Sequence, residues 1–222
     1  MLDIHYMLGL FPFLLGYLPL TLEMAATAMV LALVLASLLA VVRVAQVPVL
    51  NQLCALVISF FRGTPLLVQL FLFYYGLPQV LSFLTAINGV TATIMGLTLH
   101  FSAYMAESIR AAIVGVDRSQ TDAALSIGMT QGQLMRRIIL PQAVRIALPT
   151  LVNYFIDMIK STSLAFTLGV TELMGATQKE SASSFLYFEA FLTVAIIYWV
   201  VVELLSFIQR RLERRLNRAY NH

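Results

Sequence analysis

Charged residues are scarce in this chain of 222 residues, since Asp, Glu, Lys and Arg together make up only 11% of it. Soluble globular domains carry about 25%, because a soluble fold needs a polar surface. Surface that faces lipid needs none, and the chain is 60% hydrophobic. Because a spanning helix takes about 20 apolar residues, the length allows five or six spans and excludes a separate soluble domain of ordinary size.

Several features of other protein classes are also absent. Cys54 is the single cysteine, so no disulfide can form within the chain. The N-terminus has no positive region and no small-residue cleavage site after an early apolar run, so we expect no removable signal peptide. We find no Walker-type phosphate loop, no metal-ligand spacing and no pairing of nucleophile and base. The chain itself is therefore not expected to bind ATP or a metal, or to be an enzyme.

Five apolar segments have the length of membrane spans. They run approximately over Tyr17–Val42, Pro65–Phe83, Val90–Ile113, Ile146–Val170 and Phe185–Ile208. This pattern predicts an all-α integral membrane protein in which residues 1–222 form one transmembrane domain.

Basic residues alternate along the connections between these segments. Residues 1–42 and 84–89 contain no Lys or Arg, and the fourth connection contains only Lys179. The basic residues of the other connections and the tail are Arg43, Arg62, Arg110, Arg118, Arg136, Arg137, Arg145, Arg210, Arg211, Arg214, Arg215 and Arg218. Since Lys and Arg are enriched in cytoplasmic loops, the alternation predicts an external N-terminus, a cytoplasmic C-terminus and an odd number of spans.

The cytoplasmic loop at about 114–145 has its own helix signals. Asp117 or Ser119 can cap a short helix that ends at Gly128, a residue that enters the left-handed conformation easily. Thr130 and Gln133 fit a capping box for a second helix, which Pro141 is expected to end or kink. The loop is either a structured connector or a docking element for a cytoplasmic partner.

This loop resembles the EAA loop of the membrane subunits of bacterial ABC importers. Asp122-Ala123-Ala124, Gly128 and Ile138-Ile139-Leu140-Pro141 follow its spacing throughout, although Asp122 replaces the usual Glu. The resemblance implies that the loop couples the chain to an ATPase, through Asp122, Ala123, Ala124, Gly128, Arg136, Leu140 and Pro141.

Other segments resemble one branch of these importers, the permeases for histidine, glutamine, arginine and cystine. The matching segments are residues 61–66, 74–78, 103–107, 110–113 and 160–165. The resemblance implies the type I importer permease fold in the bacterial inner membrane. It also implies a second permease chain, same or homologous, two copies of an ATPase that bind ATP and Mg, and an extracytoplasmic solute-binding protein. Nothing implies nucleic acid.

Two predicted spans carry polar stripes. Segment three has His100, Tyr104 and Glu107, and segment four has Asn153, Asp157 and Lys160. Each set has the spacing i, i+4, i+7, which places it on one helix face. Ionisable groups at bilayer depth usually face a cavity or a partner, so the stripes predict a shared cavity. Structural alternatives remain: Asp157 can pair with Lys160, His100 can be an interior hydrogen-bonded residue, and Tyr104 and Glu107 can hold neighbouring helices.

The stretch Arg62-Gly63-Thr64-Pro65 predicts a break in the apolar run, with Thr64 as an N-cap and Pro65 in the first helical position. A helix N-terminus suits a carboxylate, although an ordinary helix start is an equal alternative. We therefore expect the Arg62–Thr64 stretch to meet the carboxylate of an amino acid and Asp157 to meet its ammonium group. The complete candidate substrate site is Arg62, Gly63, Thr64, His100, Tyr104, Asn153, Asp157, Lys160 and Ser163.

The favoured function is the permease subunit of an ABC importer for a polar L-amino acid, or a derivative such as cystine. An ion- or proton-coupled secondary carrier, with His100, Glu107 and Asp157 as a relay, is the alternative. Such carriers often contain internal repeats, and we detect none here.

Overall fold

The computed structural model describes residues 2–218, apart from the side chains at positions 83, 84, 212 and 215–218, so Arg215 and Arg218 of the basic tail lie outside the described side chains. All regular secondary structure within this range is helical, which confirms the all-α prediction. The α-helices are α1 (Ile4–Leu15), α2 (Leu18–Ala45), α3 (Pro48–Gly63), α4 (Leu66–Phe71), α5 (Leu77–Val80), α6 (Gly89–Val114), α7 (Arg118–Ser126), α8 (Gln131–Leu134), α9 (Leu140–Ser161), α10 (Leu173–Ser184) and α11 (Tyr187–Arg218). Leu72–Gly76 and Met135–Ile139 are π-helical turns, and Ser82–Ala86 and Thr162–Leu168 are 3-10 helices.

One face of α2 forms the centre of the fold. Its alanines recur every three or four residues and are fully buried; they are Ala25, Ala28, Ala32, Ala36 and Ala40. Small side chains let helix axes approach closely, and α6 is the main neighbour of α2. The opposite face of α2 exposes large apolar side chains, including Val30, Val34, Leu38 and Val41. That face suits lipid or another membrane chain.

A sharp break separates α3 from the next helical stretch. The direction of the chain turns by 108° between Pro48–Gly63 and Leu66–Val80. The predicted break is thus confirmed, but the predicted cap is wrong. Thr64 is the C-cap of α3 in extended conformation, Pro65 is the N-cap of α4, and α4 begins at Leu66. A residue before proline is pushed towards extended backbone, and this turns Thr64 away from the helix it was expected to cap.

The loop between α6 and α9 has the predicted helix starts. Asp117 caps α7, and its carboxylate accepts a hydrogen bond from the Ser119 backbone N–H, which lowers the pKa of Asp117. Gly128 follows α7 with a φ of +80°. The Thr130 hydroxyl and the Gln133 side chain form the expected capping box at the start of α8.

The expectation that Pro141 ends the second helix is wrong, because helical structure continues from Gln131 to Leu168 and Pro141 lies in the first turn of α9. The alternative, a kink at Pro141, stays a prediction. The π-helical turn Met135–Ile139 immediately precedes α9. Proline cannot donate a backbone hydrogen bond, and the wider π turn lets the chain pass this position without a break.

The C-terminal part of the chain contains a further helix, α10, that was not predicted from the sequence. After the 3-10 helix Thr162–Leu168, Gly169 adopts a φ of +80° and the chain enters α10. Helices α1 and α11 pack on α10 and on each other, and the Tyr6 hydroxyl is 2.9 Å from Ser184 Oγ. Helices α1 and α3 were likewise not predicted as separate elements.

Three described helical segments are long and apolar enough to cross a membrane, Leu18–Ala45, Gln131–Leu168 and Tyr187–Arg211. The bent pair adds a fourth if it counts as one span. Helix α6 has 26 residues but is not among these segments, and it carries the polar residues His100, Glu107 and Arg110. The multi-pass membrane architecture is therefore established, while the count of five and the orientation stay predictions.

Candidate functional site

Side chains replace the missing helix bonds at the break after α3. The last carbonyl groups of a helix have no partner within it. Here the Thr64 hydroxyl donates to the Phe60 carbonyl at 2.8 Å, and Gln69 Nε2 lies 2.9 Å from the Phe61 carbonyl and 3.1 Å from that of Thr64. These bonds hold the 108° turn between the two stretches in place.

Gln69 is a site residue that sequence analysis missed. Its side chain is 1% exposed, and its Oε1 lies 3.1 Å from Nδ1 of His100 on α6. One signal was available, because Gln69 is the only polar residue in the apolar run 65–73. An isolated polar residue in such a run needs a buried hydrogen-bond partner. The partners of Gln69 are His100 and the backbone carbonyl groups at the break.

A cavity of about 530 Å³ opens between α2, α3 and α6. Its lining residues are Arg43, Ala55, Ile58, Ser59, Arg62, Gly63, Tyr104 and Glu107. The Tyr104 hydroxyl donates to the Arg62 carbonyl at 3.1 Å, and the Arg62 guanidinium lies 5.4 Å from the centre of the Tyr104 ring. Arg62, Gly63 and Tyr104 of the predicted site therefore meet at one cavity.

Glu107 joins three helices at the same cavity. Its carboxylate is 3.3 Å from Arg43 Nε and 2.8 Å from Arg110 Nη2. Arg43 in turn donates to Asn51 Oδ1 near the start of α3. The carboxylate thus neutralises guanidinium groups of α2 and α6, in agreement with the structural alternative considered for Glu107.

The stripe on α9 has a different setting. The side chains of Asp157 and Lys160 are about half exposed, and Lys160 Nζ lies 2.7 Å from Asp157 Oδ1. Asn153 is exposed, and the Ser163 hydroxyl donates to the Lys160 carbonyl at 2.6 Å. None of these four residues lines the cavity beside Arg62. The structure therefore divides the predicted substrate site between two surfaces.

Tyr154 connects the two surfaces. Its hydroxyl is 3.0 Å from Ser108 Oγ on α6, and its ring centre is 6.3 Å from that of Tyr104. Tyr154 follows Asn153 in the chain, so the exposed α9 stripe begins next to a residue that contacts Tyr104 of the cavity. Movement of α9 against α6 would act directly on this contact.

The candidate coupling surface combines a packed interior with exposed groups. Ala124 is buried in an apolar cluster with Val116, Leu134 and Ile139. All six of the other candidate residues are exposed, namely Asp122, Ala123, Gly128, Arg136, Leu140 and Pro141. A second cavity of about 660 Å³ is lined by Thr130, Gly132, Gln133, Arg136 and Arg137. This surface is exposed and carries positive charge from Arg136 and Arg137.

The described part of the chain contains no evident metal-binding site. Among these residues, no group of three or more His, Cys, Asp or Glu side chains lies close enough to hold a metal ion. The chemistry available at the cavity is instead hydrogen bonding and charge, from Arg62, Tyr104 and their neighbours.

Sequence comparison finds a family match over residues 28–218, described as "Binding-protein-dependent transport system inner membrane component". The chain is 63% identical to the "Probable amino-acid ABC transporter permease protein PatM" of Vibrio harveyi, over 98% of both chains. It is 48% identical to the "Probable amino-acid permease protein YxeN" of Bacillus subtilis, over 99% of this chain and 98% of that protein. It is also 39% identical to the "L-cystine transport system permease protein TcyL" of Bacillus subtilis, over 93% and 88% of the two chains.

Solved structures give the same picture of the fold. A chain from an amino acid ABC transporter crystallised with histidines matches with a TM-score of 0.90 and 34% identity, over 97% of this chain and 99% of that one. A chain of the MetNI methionine ABC transporter in an inward-facing conformation matches with a TM-score of 0.76, over 91% and 95% of the two chains. Its identity is only 18%, so this second likeness concerns the fold alone.

Proposed function

The chain belongs to the family of binding-protein-dependent transport system inner membrane components, and from this premise we propose that it forms half of the membrane pathway for a polar L-amino acid or a derivative such as cystine. It is the permease subunit of an amino-acid ABC transporter, and thus a multi-pass protein of the bacterial inner membrane. The substrate class draws support from relatives named for L-cystine and arginine transport, at 39% and 32% identity.

The energy for transport comes from a separate ATPase in this proposal. The family implies an ATPase and a solute-binding protein as partners. We expect two ATPase copies that bind ATP and Mg, a second permease chain that is the same or homologous, and a binding protein on the outer side. The exposed residues Asp122, Ala123 and Arg136 would meet the ATPase, while the buried Ala124 would transmit its movement to the helices.

One observation carries the choice of a solute with a carboxylate group. Arg62 lies at the cavity over the Tyr104 ring, and among the described side chains it forms no ion pair. A guanidinium group in this position suits a carboxylate, because its N–H groups match the two carboxylate oxygens. Asp157 lies on the separate exposed surface of α9, so in this proposal it meets the ammonium group only when α9 moves towards the cavity.

Reconstituted transport tests the proposal. The chain is co-expressed with its ATPase and binding protein, and the purified complex is placed in vesicles. Uptake of L-cystine, L-arginine and L-glutamine is measured with ATP, without ATP, and with an ATPase variant that binds but does not hydrolyse ATP. We expect uptake of at least one of them to require hydrolysis. Uptake driven by a proton gradient without ATP would contradict the proposal and support the secondary carrier, which the family membership does not favour.

Asp157→Asn tests the part of the proposal that concerns the solute. The variant removes the negative charge and keeps the side-chain size, so we expect uptake to fall about tenfold, as for loss of one charged hydrogen bond. Assembly with the ATPase should remain intact, because Asp157 is half exposed and bonded only to Lys160. Glu203→Gln is a matched control, since Glu203 is also half exposed and paired with an arginine. Unchanged uptake with Asp157→Asn would remove this residue from the pathway.

A further inference from the structure

The amide of Gln69 has only one possible orientation. Its Nε2 faces the backbone carbonyl oxygens of Phe61 and Thr64 at 2.9 and 3.1 Å, and the Thr64 hydroxyl oxygen at 2.8 Å. Carbonyl oxygens can only accept hydrogen bonds. A flipped amide would place its oxygen against two other oxygens in a site that is 1% exposed. The oxygen Oε1 must therefore be the atom that faces His100.

This orientation determines the tautomer of His100. Oε1 of Gln69 is an acceptor, and it lies 3.1 Å from His100 Nδ1. Nδ1 must then carry a hydrogen. In a neutral imidazole only one nitrogen is protonated, and the other has a lone pair. His100 Nε2 is consequently a hydrogen-bond acceptor as long as the ring is neutral.

Nε2 of His100 has no hydrogen-bond partner among the described residues. It is also not fully buried, because the only fully buried side-chain N or O atom without a partner in the described chain is Thr98 Oγ1. The His100 ring packs 5.1 Å from the Tyr104 ring, which lies under the Arg62 guanidinium. The His100 ring and the Arg62 guanidinium therefore both contact the Tyr104 ring.

We propose that Gln69 is a positioning residue that presents His100 Nε2 as a hydrogen-bond acceptor for the ammonium group of the transported amino acid. This inference rests on the proposed function and deepens it. An ammonium group has N–H donors that a neutral imidazole nitrogen can accept, while the Arg62 guanidinium, which contacts the same Tyr104 ring as His100, can receive the carboxylate. The same Gln69 amide secures the break after α3, and it thereby fixes the acceptor relative to Arg62.

Two substitutions of His100 separate its two nitrogens. The side-chain amide of Asn reaches the place of Nδ1 and can donate to Gln69, but it lacks a distal acceptor. The amide of Gln reaches the place of Nε2 and can accept from a solute. We expect His100→Asn to raise the KM for uptake about tenfold, the effect of one lost hydrogen bond to a charged group. We expect His100→Gln to keep a KM near that of the wild type at lower thermal stability.

A purely structural His100 gives the reverse result. His100→Asn would then have normal uptake and His100→Gln would not, which overturns the proposal. His5→Asn is the matched control, because His5 is exposed on α1, far in sequence from the cavity residues. Its KM should equal that of the wild type.

Nitrogen NMR of the complex, labelled at its histidines, tests the tautomer without any transport. The chain has three histidines, so His100→Asn identifies the signal of interest by its loss. We expect a protonated Nδ1 and an unprotonated Nε2. A proton on Nε2 of the neutral ring overturns the proposal, even in a complex that transports normally.

Gln69→Leu tests the positioning role. It should raise the KM at least as much as His100→Asn does, because it also removes the bonds at the break. The double variant should be no worse than Gln69→Leu alone, because the acceptor is already lost in that variant. Additive effects would overturn the role of Gln69. If Gln69→Leu does not assemble, the His100 variants and the NMR signal still decide. If the wild type takes up none of the amino acids while Nδ1 is protonated, the proposed function has failed rather than the tautomer.

Discussion

Helices α6 and α9 carry polar side chains at the same spacing, yet in different surroundings. On α6, His100 bonds to Gln69 of α4, and Glu107 pairs with Arg43 of α2. On α9, Asp157 bonds only to Lys160, three residues further along, and both side chains are about half exposed. Spacing identifies a helix face, but the partners of that face decide its role. The α6 stripe is mainly a scaffold with one open acceptor, and the α9 stripe is available to a solute or a second chain.

Glu107→Leu should have the largest effect. It leaves Arg43 and Arg110 without their carboxylate in a partly buried site, and we expect a loss of about 3 kcal/mol in stability, as for breaking a buried pair. Thermal unfolding of the purified complex measures this. Asp157→Leu is the comparison, and it should change the unfolding temperature little. Equal losses for the two variants would remove the contrast between the stripes.

Gly96→Ala should have the next largest effect. Gly96 lies one turn before His100, and an added Cβ would meet the Cδ2 of the fully buried Leu70. Leu70 must move, and with it the neighbouring Gln69, so we expect a loss of about 2 kcal/mol, typical of overpacking. Gly9→Ala in α1 is the control, because a Cβ there meets nothing within 4 Å. If both variants unfold like the wild type, close packing of α4 on α6 is not required.

Ser108→Ala should have a smaller effect on stability. It removes the bond to the Tyr154 hydroxyl, which joins the two stripes, and a neutral hydrogen bond contributes about 1 kcal/mol. Tyr154→Phe should cost a similar amount, and the double variant should cost no more than one of them. Chemical unfolding of all three variants gives the comparison. A fully additive double variant would mean that the two hydroxyls act separately.

The Asp157–Lys160 pair should have the smallest effect. A double-mutant cycle with Asp157→Asn and Lys160→Gln should give a coupling energy below about 0.5 kcal/mol, because exposed ion pairs are screened by solvent. A coupling of several kcal/mol would show instead that this pair is a structural element like the one at Glu107.

Much of the fold could be predicted from local patterns. The helix starts at Asp117 and Thr130 and the turn at Gly128 follow from capping chemistry, which involves residues two to four positions apart. The break near Pro65 could also be predicted, although its cap could not. The predicted helix end at Pro141 is wrong because a π turn precedes this proline, and no local sequence pattern predicts such a turn.

The candidate site was less predictable. Arg62, Gly63 and Tyr104 do meet at one cavity, whereas Asn153, Asp157, Lys160 and Ser163 lie elsewhere, and their role in transport stays a prediction. Gln69 was missed because a single polar residue in an apolar run does not indicate which helix its side chain faces. Only its neighbours in space reveal which group it binds.

The sequence by itself determined that the chain lies in a membrane, that it carries a loop of the importer type, and that polar faces exist on α6 and α9. These features depend on composition and on residues within one or two helical turns. Tertiary structure alone decided which polar groups meet. Arg43 and Glu107 are 64 positions apart, and Gln69 and His100 are 31 apart. Such pairs form only when helices pack, because the approach of two helix surfaces, rather than any local spacing, brings their donors and acceptors within bonding distance.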